Sequence, residues 1–446
     1  MVPMSDGGDA SPYDVIIVGG RPAGASLAAR LGAAGLRVLI LDRATFPSLP
    51  AVSAPFLLPH ALELLDEIGA DEAAYAEATP RLRAFVLEIG DYFRSVFPFD
   101  VEIAGRDYFY TIDRARLDST LWRNLERFPS VTAWEGAKVT ELVREGDGRV
   151  AGVVVDRDGA IVECRAAAVV GADGRFSLVA RKVDAAITEE RADVVTTVYY
   201  DFWEGVADYD DSGQQLAQIY SSCDGFSAVA MPTADAKTIV LVQGRADYFA
   251  ALTGDAEANY ETLLRARPRI WRRLAGATRR GKVAGMKRVG NLFREAGGPG
   301  WALVGDAYHQ KDSIDAQGIY DALIGAKLLA RHLIRWRRGE VGWEAAVASY
   351  SDEVYAVCKP MFEATMGRLE REIYSAPPPA VAKTMMRWML THPEYGRRYA
   401  EFVTRRFDPA TFLTPPLILK FAAKGAVQRL RRRLGGADPT DPLELA

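Results

Sequence analysis

Three glycines and an acid stand at a spacing that suits a dinucleotide. In DVIIVGGRPAGASLAARLGAAGLRVLILDR, residues 14–43, Gly19, Gly20 and Gly24 fill a tight turn, and Asp42 follows them at about 20 residues. So close a turn needs residues without a Cβ. A helix behind it aims unpaired N–H groups and a positive dipole end at the turn, where a pyrophosphate fits. A carboxylate at the tip of the next strand accepts hydrogen bonds from ribose hydroxyls. The strict pattern has glycine where Arg21 stands, so its guanidinium either meets a phosphate or points outward. Two similar ends follow: AAAVVGADGRFS, with Gly171, Asp173 and Gly174, and GPGWALVGDAYHQKDSIDAQG, with Gly305 and Asp306 before a polar loop. Gln317 and Gly318 open a long helix after that loop, and its N-terminus favours a negative charge lying in front.

These residues need elements to hold them. Residues 14–18 and 36–41 are short apolar runs fit for buried parallel strands, and 22–35 carries alanine and leucine at helical spacing. A helix is expected over 59–68, with Gly69 as its stop; His60 near its start reads as structural. Residues 81–112 alternate apolar and polar, as half-buried antiparallel strands do. An amphipathic helix starts near Arg114 and places Leu117, Leu121, Leu125 and Phe128 on one face; a strand at 131–134, a hairpin over 138–155 and a further strand at 161–165 follow. Residues 191–246 are strand-rich, with Tyr199, Tyr200, Phe202, Trp203, Tyr220 and Phe226 expected mostly in the core and some against a pocket. The pair of helices over 256–280 is expected to turn a basic face to solvent. Beyond 340 the pattern is helical, broken by Pro377–Pro379 and by Pro415-Pro416, and it ends in a basic amphipathic helix that either packs or touches a membrane or partner.

Composition narrows the class. The chain has 446 residues, 49% of them hydrophobic and 26% charged, with a net charge of −4, so no basic field argues for nucleic acid. Cys164, Cys223 and Cys358 are too scattered for a disulfide framework or a metal site. The polar N-terminus does not read as a signal peptide, and no apolar run reaches the ~18–20 residues of a membrane span. A cytoplasmic enzyme, monomer or homodimer, is the expectation.

Taken together, the three strand ends resemble those of FAD-dependent oxidoreductases similar to p-hydroxybenzoate hydroxylase, whose relatives include flavin-dependent halogenases and geranylgeranyl reductases. The resemblance covers roughly 12–375. GGRPAG with Asp42-Arg43 looks like the family's ADP-binding motif, bringing in Ala23 and Arg43; GADGRFS looks like its second motif, and the Asp306 of WALVGDAYH like the aspartate that binds the ribityl chain. Arg114 with Leu117-Asp118 matches the flavin-side pattern R-x-x-L-D. The loop after Asp306 is similar to GDAGYHKDPITAQG, with Ser313 where proline is usual.

The resemblance implies an α/β fold with an α+β insertion. It pictures a Rossmann-like FAD-binding domain with a mostly parallel sheet (12–80, 113–190, 296–375), antiparallel substrate-domain strands (81–112, 191–295) and a helical C-terminal region (376–446). It implies FAD as cofactor, NAD(P)H as transient electron donor, and O2 with a small aromatic or polyketide-like substrate that is hydroxylated or epoxidised through a flavin C4a-hydroperoxide. His309, Lys311 and Asp312 are the polar candidates near the flavin ring, with Lys311 either polarising a substrate oxygen or pairing with Asp312 to hold the loop. A reductase of C=C bonds, a halogenase and a non-catalytic FAD-binding protein remain as alternatives. The W-x-W-x-I-P stretch of tryptophan halogenases would fall near 226–232, which has no tryptophan.

Overall fold

A computed structural model of the chain describes residues 13–48, 55–90, 93–221, 224–376, 379–390, 392–412 and 414–434. Pro377, Pro378 and Cys223 lie outside the described residues. β1 (Tyr13–Val18) is apolar and buried over its last four residues, and α1 (Pro22–Ala33) begins with proline at its first turn, where no N–H is needed. β2 (Val38–Leu41) is wholly buried, as a strand covered on both faces must be. β3 (Ala84–Ile89) and β4 (Phe93–Pro98) form an antiparallel hairpin. Next comes α2 (Arg114–Asn124), capped by the Asp113 carboxylate, which accepts from the Arg116 amide at 3.0 Å. β5 (Val131–Trp134) leads on to β6 (Ala160–Gly171) through a hairpin of Ala137–Arg144 and Val150–Arg157. β7 (Thr196–Glu204), β8 (Ala217–Ser221), β9 (Phe226–Pro232) and β10 (Lys237–Arg245) follow, then β11 (Trp301–Leu303), α3 (Gly318–Arg337) and α4 (Trp343–Leu369).

Two large sheets result. The first runs β11-β6-β1-β2-β5, all parallel, with Val15 opposite both Val38 and Ala168, and Val169 opposite Trp301. The second runs β7-β10-β9-β8-β3-β4, antiparallel except where β8 meets β3. The return to the first sheet after each excursion brings the C-terminal ends of β1, β6 and β11 side by side, the crevice where open α/β sheets bind ligands.

Two differences from expectation have physical reasons. The strand at 161–165 and the buried strand after it are one element. The exposed first half of β6 pairs antiparallel with Val150–Arg157, and its buried second half pairs parallel with β1. The basic face of Ala256–Arg265 and Pro268–Leu274 is not simply solvated. Arg267 is buried 3.7 Å over the Phe226 ring and donates to Asp224, and Arg273 donates to the Gln218 side chain at 2.6 Å. Of the six aromatics, Tyr199, Trp203, Tyr220 and Phe226 pack behind the second sheet against these helices, while Tyr200 and Phe202 lie on its front. The C-terminal helices cover that front, burying Met389, Leu390 and Phe421, and the last of them (Pro415–Arg433) leaves Leu419, Val427 and Leu430 exposed. None of the described helices is long and apolar enough to cross a membrane.

Candidate functional site

The turn after β1 is built so that nothing larger than glycine fits. Gly19 has φ +105°, and a Cβ there would lie 2.4 Å from the Ala172 carbonyl oxygen; one on Gly24 would lie 1.8 Å from the Gly19 carbonyl oxygen. These contacts press β1, α1 and the tip of β6 together. The Gly20 amide donates to the Asp42 carboxylate at 2.7 Å, and the other Asp42 oxygen accepts from the Ala44 amide at 2.8 Å. Asp42 therefore fixes the turn, with lone pairs left for a sugar. Ala23 lies against Gly305 of the third strand end, and Arg43 is exposed beside Asp42. The Arg21 guanidinium reaches across to α2. It donates to Asp118 at 2.5 Å and to Ser48 Oγ at 2.9 Å, and Arg114 grips the same buried Asp118 at 3.0 Å.

The second and third strand ends are knitted by Arg175, which the sequence did not single out. It pairs with Asp306 at 3.1 Å and donates to the Lys311 carbonyl at 2.6 Å and the Gly290 carbonyl at 3.2 Å, while the Gln310 amide donates back to its carbonyl at 2.9 Å. The Asp306 side chain keeps 37% of its surface open. Asp173 is turned inward: it accepts from Ser177 Oγ at 2.5 Å and from the Leu178 amide at 2.6 Å, at the start of the helix Leu178–Lys182. Burial raises its carboxyl pKa. Gly174, at φ +76°, makes the turn between them.

The loop from His309 to Gly318 divides its side chains between two sides. Lys311 points to α3 and pairs with Asp321, which also binds Arg405; His309 stacks on Phe293 at 4.2 Å with its Nε2 3.8 Å from Asp321. Burial and the Arg405 charge bring the Lys311 ammonium down to about 7, and burial with Lys311 nearby keeps His309 neutral. Asp312 points the other way, to the second sheet, accepting from Thr196 Oγ1 and Gln243 Nε2 at 2.5 Å each. The expected alternative of a Lys311–Asp312 pair is thereby corrected: on extended backbone successive side chains face opposite sides. Gln317 donates to the Val403 carbonyl at 2.9 Å and accepts from Arg405 at 3.0 Å, so the start of α3 is tied to the C-terminal helices; Gly318 is exposed.

A cavity lies between this loop and the front of the second sheet. Ile219, Ser221, Ser227, Val229, Met231, Leu241 and Gln243 form its floor, and Ser313, Ile314 and Ala316 of the loop and Arg368, Glu372 and Ile373 close its sides. It encloses ≈ 50 Å³ and opens, counting its mouth, into ≈ 570 Å³ of unfilled space. His309, Lys311 and Asp312 do not line it. They hold the loop whose next residues do.

His60 packs its ring against Tyr320 of α3 at 4.2 Å, and burial followed by the Arg405 charge lowers its pKa to about 3. A buried neutral histidine costs stability in acid, because the unfolded chain takes up the proton below pH 6.5 and the folded chain does not until about pH 3. Urea denaturation at pH 7.5 and pH 5 is expected to show His60→Leu losing about 2 kcal/mol less than the parent over that interval. An unchanged acid limb would place the proton uptake elsewhere.

The family model for the FAD binding domain matches residues 12–365, a span that takes in all three strand ends and the second sheet. The 6-methylpretetramide 4-monooxygenase of Streptomyces rimosus is 35% identical over 38% of this chain and 40% of its own length. The tryptophan 2-halogenase of Chondromyces crocatus is 25% identical over 76% of this chain and 64% of its own. Both matches thus span less than two thirds of the relative. The flavin-dependent brominase Bmp2 superposes with a TM-score of 0.76 at 18% identity, over 95% of this chain and 100% of its own, which is a likeness of fold.

Proposed function

The chain belongs to the FAD binding domain family, with FAD as its cofactor, and from that premise we propose that it is an FAD-dependent monooxygenase. It draws electrons from NAD(P)H and places one atom of O2 on a small, flat, largely apolar substrate as a hydroxyl or epoxide. The observation that carries this reading is the cavity of the second sheet, whose far wall is the loop that leads into α3, one segment on from the Gly305-Asp306 strand end. The first relative's name points the same way.

The residues present fit FAD. A turn whose Gly19, Gly20 and Gly24 leave no room for a Cβ, at the N-terminus of α1, suits the pyrophosphate, Asp42 the ribose and partly exposed Asp306 the ribityl chain. When bound, FAD accepts a hydride and activates oxygen; the protein contributes position and dryness. Ile219, Val229, Met231, Leu241 and Ile373 exclude water from the substrate side. The dipole of α3 favours negative charge before Gln317 and Gly318, held in place by Arg405.

Oxygen uptake with NADH or NADPH, flat phenolic test compounds and isotopically labelled O2 checks the reading. One labelled oxygen atom in the product is the expected result. A product hydrogenated without label would replace the reading by a C=C reductase, and a strict need for halide by a halogenase. The stretch Phe226–Pro232 is an ordinary strand of the cavity floor without tryptophan, and that weighs against the latter.

A further inference from the structure

The cavity floor is ordered in rows. Register places Ile219 opposite Val229 and Val229 opposite Leu241, giving one apolar row across β8, β9 and β10. Two residues along, Ser221 stands opposite Ser227 and Ser227 opposite Gln243, giving a polar row on the same face. Gln243 is engaged: its amide nitrogen donates to Asp312 at 2.5 Å and to Thr196 Oγ1 at 3.2 Å, and its oxygen accepts from Ser313 Oγ at 3.2 Å. The two serines are not. Ser221 and Ser227 are 1% and 6% exposed, and neither hydroxyl has a hydrogen-bond partner among the described residues. Buried polar groups left unpaired cost stability, and two of them side by side on the floor of a cavity await a partner that enters it. The cation on the cavity wall is already committed: Arg368 pairs with Asp315 at 2.7 Å and with Glu372 at 3.0 Å.

We propose that Ser221 and Ser227 are the specificity determinants of the substrate, together holding a neutral hydroxyl or carbonyl oxygen on one edge of an otherwise apolar ring that lies over Ile219, Val229 and Leu241. Directly opposed side chains on neighbouring strands stand about 5 Å apart at Cβ, so one hydroxyl donates to the ligand oxygen while the other accepts from it or donates a second bond. With Arg368 paired to two carboxylates, a carboxylate on the ligand finds no spare cation and is disfavoured. The inference rests on the monooxygenase reading of the same site and deepens it to a substrate class: ring systems bearing a phenolic or ketonic oxygen.

The test is binding to the oxidised holoprotein without electron donor, so it stays readable even if no oxygen is inserted. Isothermal titration with 2-naphthol, naphthalene and 2-naphthoate is expected to rank 2-naphthol first. The double variant Ser221→Ala, Ser227→Ala is expected to weaken 2-naphthol about 5- to 20-fold and to leave naphthalene unchanged or tighter. Should the double variant misfold, Ser227→Ala alone is expected to show about half of that effect on a logarithmic scale. Equal loss for 2-naphthol and naphthalene, no loss for either, tighter binding of 2-naphthoate, or no binding of any probe to the parent overturns the inference.

Discussion

Gly24→Ala is expected to yield a protein that purifies without yellow colour. The added Cβ would stand 1.8 Å from the Gly19 carbonyl oxygen and 3.0 Å from its carbon, and 3.3 Å from the Ala172 side chain. The first two contacts are backbone, so no rotamer change relieves them; β1 and α1 must part, and the amides that face the pyrophosphate move with them. Overpacking of this kind costs ~1–3 kcal/mol of stability, but the larger effect falls on the cofactor, because phosphate recognition depends on amides held in fixed directions. Flavin absorbance per protein is expected to fall at least tenfold, and added FAD is expected not to restore it. Gly146→Ala supplies the control: that glycine lies in the hairpin between Ala137–Arg144 and Val150–Arg157, a Cβ added to it would meet no atom within 4 Å, and it needs no left-handed backbone. Normal flavin content in Gly24→Ala would mean that the close approach of α1 to the turn is not what holds the cofactor.

Why that site was legible while others were not follows from distance along the chain. The glycine turn, its strand and its helix lie within about one βαβ unit, so local sterics write them into the sequence. The Arg114–Asp118 pair is readable too, being one helical turn apart, but the second partner of Asp118, Arg21, lies 97 residues away and was free in the sequence to point anywhere. Lys311 and Asp312 are adjacent and of opposite charge, which suggests a pair, yet extended backbone sends them to different neighbours. Ser221 and Ser227 carried no signal, since a serine in a strand looks like any solvent-facing residue until the C-terminal helices and the loop cover that face. Arg267 and Arg273 misled for the opposite reason: their charge suggests solvent, whereas long stems and ring faces let arginine be buried with its fork satisfied.

Asp321→Asn is expected to cost ~3–5 kcal/mol of stability, the cost of leaving buried charge unmatched. Asp321 is the carboxylate that both Lys311 and Arg405 touch, and all three side chains are less than a tenth exposed. The substitution keeps the shape and removes the charge, so two cations remain facing each other across a neutral amide. Arg405 cannot shed its proton; Lys311, already down to about 7, can. The sign of the pH dependence follows. A lysine whose folded pKa lies below its unfolded value adds stability as pH rises, since the unfolded chain binds the proton that the folded chain has released. Losing Asp321 lowers that folded pKa further, so the deficit against the parent is largest at pH 6 and below, where Lys311 is charged in the parent, and narrows as pH climbs through 7. Lys311→Met is expected to cost less, because Arg405 and Asp321 still neutralise each other. Urea denaturation of the three proteins at pH 6 and pH 8.5 reads both effects. A deficit independent of pH would locate the damage in the lost Arg405–Asp321 contact instead, which steadies the arginine that also ties the C-terminal helices to Gln317 at the head of α3.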